Sequence, residues 1–174
     1  MSLNTVAPML EILRLRRGPQ DLPADPGILT FWIGVSVVTG VFVAAPMHGV
    51  ATSIFLSALD LAVLYLFVLM LLGLKGLTAR WLQTYVALVG TSALLGLVMA
   101  LLLWAFPPDP AQEQVSAPSI IAYLGLLVWL LLVFGHVLQN ALDLAGRMAG
   151  VAIALGFLIL SSVVTQLALG LTSA

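Results

Sequence analysis

The sequence predicts an all-α, polytopic integral membrane protein with five transmembrane helices, preceded by a short N-terminal amphipathic interfacial helix. Of its 174 residues, 62% are apolar and 7% are charged, whereas an ordinary soluble domain has about 25% charged residues. The mean hydropathy is +1.19. So few charged side chains cannot solvate the surface of a soluble enzyme, and that class is excluded. No ten-residue segments alternate apolar and polar residues, so strands are not expected.

Residues 1–27 are predicted to form a cytoplasmic or interfacial segment, with an amphipathic helix at residues 5–17. Its apolar residues follow the spacing of one helical face: Val6, Met9, Leu10 and Leu13. Its basic residues are Arg14, Arg16 and Arg17. A helix of this kind lies in the plane of the interface with its basic residues at the lipid headgroups. A docking site for a partner protein is the alternative interpretation.

Residues 28–174 are predicted to form one transmembrane domain with five apolar segments, because about 20 residues cross a bilayer. The spans are predicted at residues 28–45, 50–74, 82–106, 118–138 and 149–171. Short connections separate them, and the longest contains Pro107, Pro108 and Pro110, which prevent the helix from continuing.

The basic residues predict the orientation of the chain. All six fall in the N-terminal segment and in the connections after spans two and four: Arg14, Arg16, Arg17, Lys75, Arg80 and Arg147. Basic connections stay in the cytoplasm. We therefore predict a bacterial cytoplasmic (inner) membrane protein with its N-terminus in the cytoplasm and its C-terminus in the periplasm. A C-terminal alkaline phosphatase fusion is expected to be active, and a fluorescent C-terminal green fluorescent protein fusion would contradict this topology.

Several function classes lack the residues that they require. The absence of cysteine excludes disulfides, iron–sulfur clusters and thiolate zinc sites. His48 and His136 lie at opposite faces of the membrane and cannot share a haem. No phosphate-binding or hydrolase motif occurs, and a net charge of −1 creates no basic field for nucleic acid. We expect no catalytic residue, cofactor or metal, and no nucleic acid partner.

Asp60 is the strongest candidate for a functional residue. It lies near the middle of the second span, about 15 Å from the outer end. A carboxylate at that depth costs at least about 2.5 kcal/mol, so it is expected to face protein or water and to have a partner. The candidate partners are hydroxyl groups: Thr39, Thr91, Ser92, Ser161, Ser162 and Thr165. Asp60 is either a proton or ion site, or a hydrogen-bonding group that fixes helix packing.

A second polar cluster is predicted at the inner end of the fourth span. His136, Asn140 and Asp143 have i, i+4, i+7 spacing and share one helical face. We interpret them as a polar helix end that reaches the headgroups and pairs with Arg147 or Arg80. One imidazole and one carboxylate are too few for a metal site within one chain.

Small residues recur every four positions in two of the spans, a pattern that lets helix backbones approach. The two series are Gly146, Gly150 and Ala154, and Ser92, Gly96 and Ala100. They serve either packing within the chain or contact with another subunit.

The chain resembles the bacterial branch of the Yip1-like membrane proteins. The likeness rests on residues 11–19, Glu-Ile-Leu-Arg-Leu-Arg-Arg-Gly-Pro, and on the five-span layout with a cytoplasmic N-terminus. The resemblance implies a binding or organising role in a membrane. It supplies no catalytic residue.

These observations predict a non-enzymatic accessory, assembly or organising subunit that acts through helix-face contacts. Its expected partners are the lipid bilayer and other membrane subunits or further copies of itself. The soluble segments are too small to hold an active site. The alternative is a small transporter or proton-coupled channel subunit that uses Asp60.

Overall fold

The computed structural model describes residues 6–106 and 117–172, in which all regular secondary structure is helical. The six α-helices are α1 (Val6–Leu13), α2 (Pro26–His48), α3 (Val50–Leu74), α4 (Trp81–Ala105), α5 (Ala117–Ala141) and α6 (Arg147–Thr172). Single turns of 3₁₀-helix lie at Pro19–Asp21 and Thr78–Arg80. The helices α2 to α6 are long and apolar enough to cross a membrane. The protein is therefore an all-α membrane protein with five spans.

The helix ends follow local chemistry. The Asp25 side chain caps α2 by accepting a hydrogen bond from the Gly27 amide (2.8 Å), and Pro26 occupies the first turn. The helix continues through Pro46 to His48, beyond the predicted end at residue 45. The fourth span likewise extends to Ala141, and the fifth begins at Arg147. The three prolines of the 107–117 connection lie outside the described residues.

Helix α4 is the central element of the bundle. It packs against α1, α2, α3 and α5, while α6 packs against α3 and α5. Its buried stretch is continuous from Thr84 to Thr91. A helix buried all round is expected to be apolar all round. The two buried threonines satisfy their hydroxyl groups locally: Thr84 donates to the carbonyl of Arg80, just before α4 (2.9 Å), and Thr91 donates to that of Ala87 (2.7 Å).

Helix α1 confirms the predicted short N-terminal helix, but its apolar side contacts protein, not acyl chains. Met9 and Ile12 are fully buried and Leu13 is 7% exposed, whereas Leu10 is 42% exposed. The predicted apolar face included Leu10, whereas in the structure Ile12 lies on the buried side of the helix and Leu10 does not. Met9 contacts Gly90, which lies nine residues and about 14 Å into α4.

Hydrogen bonds tie the N-terminal segment to α5 and α4. The indole of Trp129 donates to the carbonyl of Leu13 (3.0 Å), and the amide of Gln83 donates to the carbonyl of Leu22 (2.6 Å). Helix α1 ends where Leu15 adopts a φ of 59° and the amide of Arg16 closes on the carbonyl of Glu11 (2.9 Å). The segment therefore fills a space beside α4 on the inner side of the predicted topology.

Lys75, Arg80 and Arg147 lie beside the end of α3 and the starts of α4 and α6, at one end of the bundle, which we term the basic end. The N-terminal segment that carries the other three basic residues reaches further into the bundle, since the carbonyl of Leu13, next to Arg14, bonds Trp129 in the middle of α5. The three arginines of the N-terminal segment are exposed, and their headgroup or docking role stays a prediction. Arg14 forms an ion pair with Glu11 on the surface (3.3 Å).

Candidate functional site

The helices α3, α4, α5 and α6 line an open cleft of about 310 Å³ in the middle of the spans, and Asp60 is exposed at its edge. Its walls are mostly apolar. The lining includes Asp60, Ser92, Gly96, Met99, Tyr123, Leu127, Phe157 and Ser161. A largely apolar cavity with a few convergent polar groups is the usual form of a small-molecule site.

Asp60 and Ser161 form the polar pair of this cleft. The Ser161 hydroxyl donates a hydrogen bond to Oδ1 of Asp60 and joins α3 to α6. Asp60 lies ten residues from the start of α3 and Ser161 fourteen from the start of α6, about 15 and 21 Å along helices that begin at opposite ends. The two distances place the pair at one level in mid-bundle. Within the described part of the chain, Ser161 is the residue that bonds this carboxyl group.

The other predicted hydroxyl partners have different positions. Ser92 lines the same cleft. Thr39 and Thr91 donate to carbonyls of their own helices at 2.7 to 3.1 Å and are buried. Ser162 is exposed and Thr165 is half-buried on α6. The structure thus brings together Asp60, Ser161 and Ser92, while the remaining hydroxyls stay outside the pair.

The three residues of the predicted inner cluster, His136, Asn140 and Asp143, do not bind one common partner. The Nε2 atom of His136 lies 2.9 Å from the carbonyl of Arg17, so this nitrogen carries the proton and donates. Asn140 bonds to the His136 carbonyl (2.7 Å). Asp143 forms an ion pair with Arg80 (2.8 Å), which was one of its two predicted partners. Arg147 is exposed.

The predicted small-residue series pack mainly within the chain. A Cβ at Gly150 would overlap the carbonyl oxygen of Gly135, and a Cβ at Gly135 would lie 2.8 Å from the amide nitrogen of Val151. Ala154 is fully buried. Gly96 faces Thr39, whose Oγ1 would lie 3.2 Å from an added Cβ.

The terminal residues of the two series, Gly146, Ser92 and Ala100, are less buried than Gly150 and Ala154. Gly146 is exposed, with no atom within 4 Å of an added Cβ. Ser92 and Ala100 are half-buried. Most of the close approaches that the spacing predicted are therefore already made by helices of the same chain.

An outward pair of small residues on α6 was not singled out in the sequence. Ala152 and Gly156 are exposed, and no atom lies within 4 Å of a Cβ built at Gly156. Their spacing of four is visible in the sequence. Which of two overlapping small-residue series faces outward depends on helix rotation, and only tertiary contacts fix that.

No group of three potential metal-binding His, Cys, Asp or Glu side chains comes together in residues 6–106 and 117–172. Comparison of the chain with protein-family models, with curated proteins and with solved structures finds no match.

Proposed function

We propose that this chain is a non-enzymatic accessory or organising subunit of a membrane protein complex, acting through helix-face contacts in the bilayer. The observation that carries the proposal is the outward face of α6. There the small residues Ala152 and Gly156 leave the helix backbone accessible to a neighbouring helix. Small residues spaced by four allow a second transmembrane helix to approach closely. The inward series of the same helix, at Gly150 and Ala154, is used against α5 and the core.

The disposition of the polar groups supports binding over chemistry. Tyr85, Trp129 and Gln83 each donate to a backbone carbonyl of another segment. These bonds stabilise the bundle and leave those groups no free donor for a reactant. The binding role implied by the Yip1-like resemblance agrees with this proposal.

A second candidate function rests on Asp60, which lines the cleft beside Ser161. A carboxyl group at this depth is by default a candidate for proton or ion coupling. A small transporter or channel subunit would need Asp60 to titrate, whereas an accessory subunit needs only its hydrogen bond. Substitution by asparagine separates these roles, because it keeps the shape and removes titration.

The two candidate functions predict different results in one co-purification experiment. The full chain is isolated from its host membrane at native expression in mild detergent, and the associated subunits are identified and quantified by native mass spectrometry. We expect partner subunits or further copies in fixed ratio for the parent chain and for Asp60→Asn. We expect at least a tenfold loss of association for Gly156→Leu, because the side chain holds the helices apart.

The matched control is Gly125→Leu, since Gly125 is also exposed with nothing near an added Cβ, but lies on α5. This variant is expected to retain the partner. An Asp60→Asn chain that assembles normally but loses proton flux in liposomes would favour the transporter. A parent chain that purifies as a monomer would argue against the accessory role.

We further propose that the basic end faces the cytoplasm of a bacterial inner membrane, because connections rich in Lys and Arg are retained there. The C-terminal fusion experiment described above tests this orientation.

A further inference from the structure

A polar pocket of about 390 Å³ opens at the basic end of the bundle, apart from the intramembrane cleft. It lies between the start of α4, the end of α5 and the 3₁₀ turn of the N-terminal segment. That turn contributes Gln20 to the lining, and the helices contribute further polar residues, among them Arg80, Gln83, Asn140 and Asp143. Because these residues lie at the ends of membrane-spanning helices, the pocket is at the level of the lipid headgroups.

The pocket contains one charge of each sign. Arg80 binds Asp143 (2.8 Å) and the carbonyl of Ala141 (3.3 Å), both through Nη1. Among the described residues, Nη2 and Nε of Arg80 and Oδ1 of Asp143 have no other bond. The two side chains are 41% and 63% exposed, so these atoms are accessible to a ligand.

The local backbone holds this pair in place. Asp143 adopts a φ of 50°, and the amide of Leu144 closes the turn on the carbonyl of Gln139 (3.0 Å). The carboxylate therefore projects from a defined turn next to the last residues of α5. Gln83 and Asn140 are held by backbone carbonyls of Leu22 and His136, so the walls of the pocket are ordered.

We propose that this pocket binds the headgroup of a zwitterionic phospholipid with a primary ammonium group, phosphatidylethanolamine. The free guanidinium nitrogens of Arg80 suit the phosphate, since arginine binds phosphate through parallel N–H donors. The free oxygen of Asp143 accepts a hydrogen bond from the ammonium group. The paired charges of the pocket sum to zero, which matches a zwitterion better than an anionic lipid. This inference does not depend on the proposed accessory role.

The choline headgroup provides a sharp comparison, because it carries the same charges but no N–H donor. The purified full chain is delipidated and then incubated with phosphatidylethanolamine, phosphatidylcholine or phosphatidylglycerol of identical acyl chains. Bound lipid is quantified by native mass spectrometry. We expect phosphatidylethanolamine to bind about tenfold more tightly than either of the others, as one hydrogen bond to a charged group allows.

The decisive variant is Asp143→Asn, because asparagine tolerates a positive φ and so preserves the turn. It should abolish the preference for ethanolamine over choline and raise the binding of phosphatidylglycerol, since Arg80 then has no opposing charge. The control Arg147→Gln removes an exposed charge of the basic end that does not line the pocket, and it should keep the parental preference. Thermal unfolding verifies that each variant is folded.

Three results would overturn the proposal. One is equal binding of the ethanolamine and choline lipids by the parent chain, and another is an unchanged preference in folded Asp143→Asn. The third is binding of soluble glycerophosphoethanolamine as tightly as the intact lipid, which would assign the pocket to a soluble solute. We expect the soluble headgroup to bind at least tenfold more weakly, because the membrane concentrates and orients the lipid.

Discussion

Replacing Gly150 by leucine is expected to lower the free energy of unfolding by roughly 3 kcal/mol or more, because the added side chain overlaps the carbonyl oxygen of Gly135. The neighbour in contact is backbone, so no side-chain rotation can relieve the overlap. Helices α5 and α6 would have to separate, and with them the α6 face that carries Ser161. Thermal unfolding of the purified chain in detergent measures the effect.

The control for this prediction is Gly156→Leu in the isolated chain. Gly156 lies six residues further along the same helix, with open space around an added Cβ. The same substitution should therefore change the unfolding temperature little. Equal destabilisation by the two variants would contradict the role assigned to the crossing of α5 and α6. Intrinsic helix propensity could not explain such a loss, because leucine is a better helix former than glycine.

Replacing Met9 by arginine is expected to release α1 from the bundle. Met9 is fully buried, and its terminal methyl lies 2.7 Å from the position of a Cβ on Gly90. A buried charge without a partner costs about 3 kcal/mol or more, and the substitution also removes the apolar contact that Met9 makes in docking α1. The segment would then expose Leu13, which is otherwise 7% exposed.

The absence of native cysteine makes this change easy to measure. A Leu13→Cys reporter should react slowly with a maleimide in the otherwise unchanged chain, and at least about tenfold faster together with Met9→Arg. The matched control is Leu10→Arg, since Leu10 lies on the exposed side of α1. Fast labelling of the reporter without any second substitution would mean that α1 does not dock on α4.

The apolar helices could be predicted because composition and length alone reveal them. Their ends were less predictable. Pro46 was expected to close the first span, but a proline in the last turn removes one hydrogen bond without ending the helix, which continues to His48. The carboxyl of Asp60 was predicted to need a partner, and the sequence offered six hydroxyls. Two of them, on Thr39 and Thr91, bond to carbonyls of their own helices.

The pattern of residues by itself determined that this is a helical membrane protein with five spans, because the hydrophobic effect requires long apolar segments to leave water and requires the charges to remain at their ends. It also indicated Asp60 as a group that needs a partner. Only the tertiary structure decided that the partner is Ser161, that α1 packs beside Gly90, and that Gly150 faces inward while Gly156 faces outward. The reason is that all faces of these helices are apolar, so helix rotation and the choice of neighbour depend on close packing between distant segments.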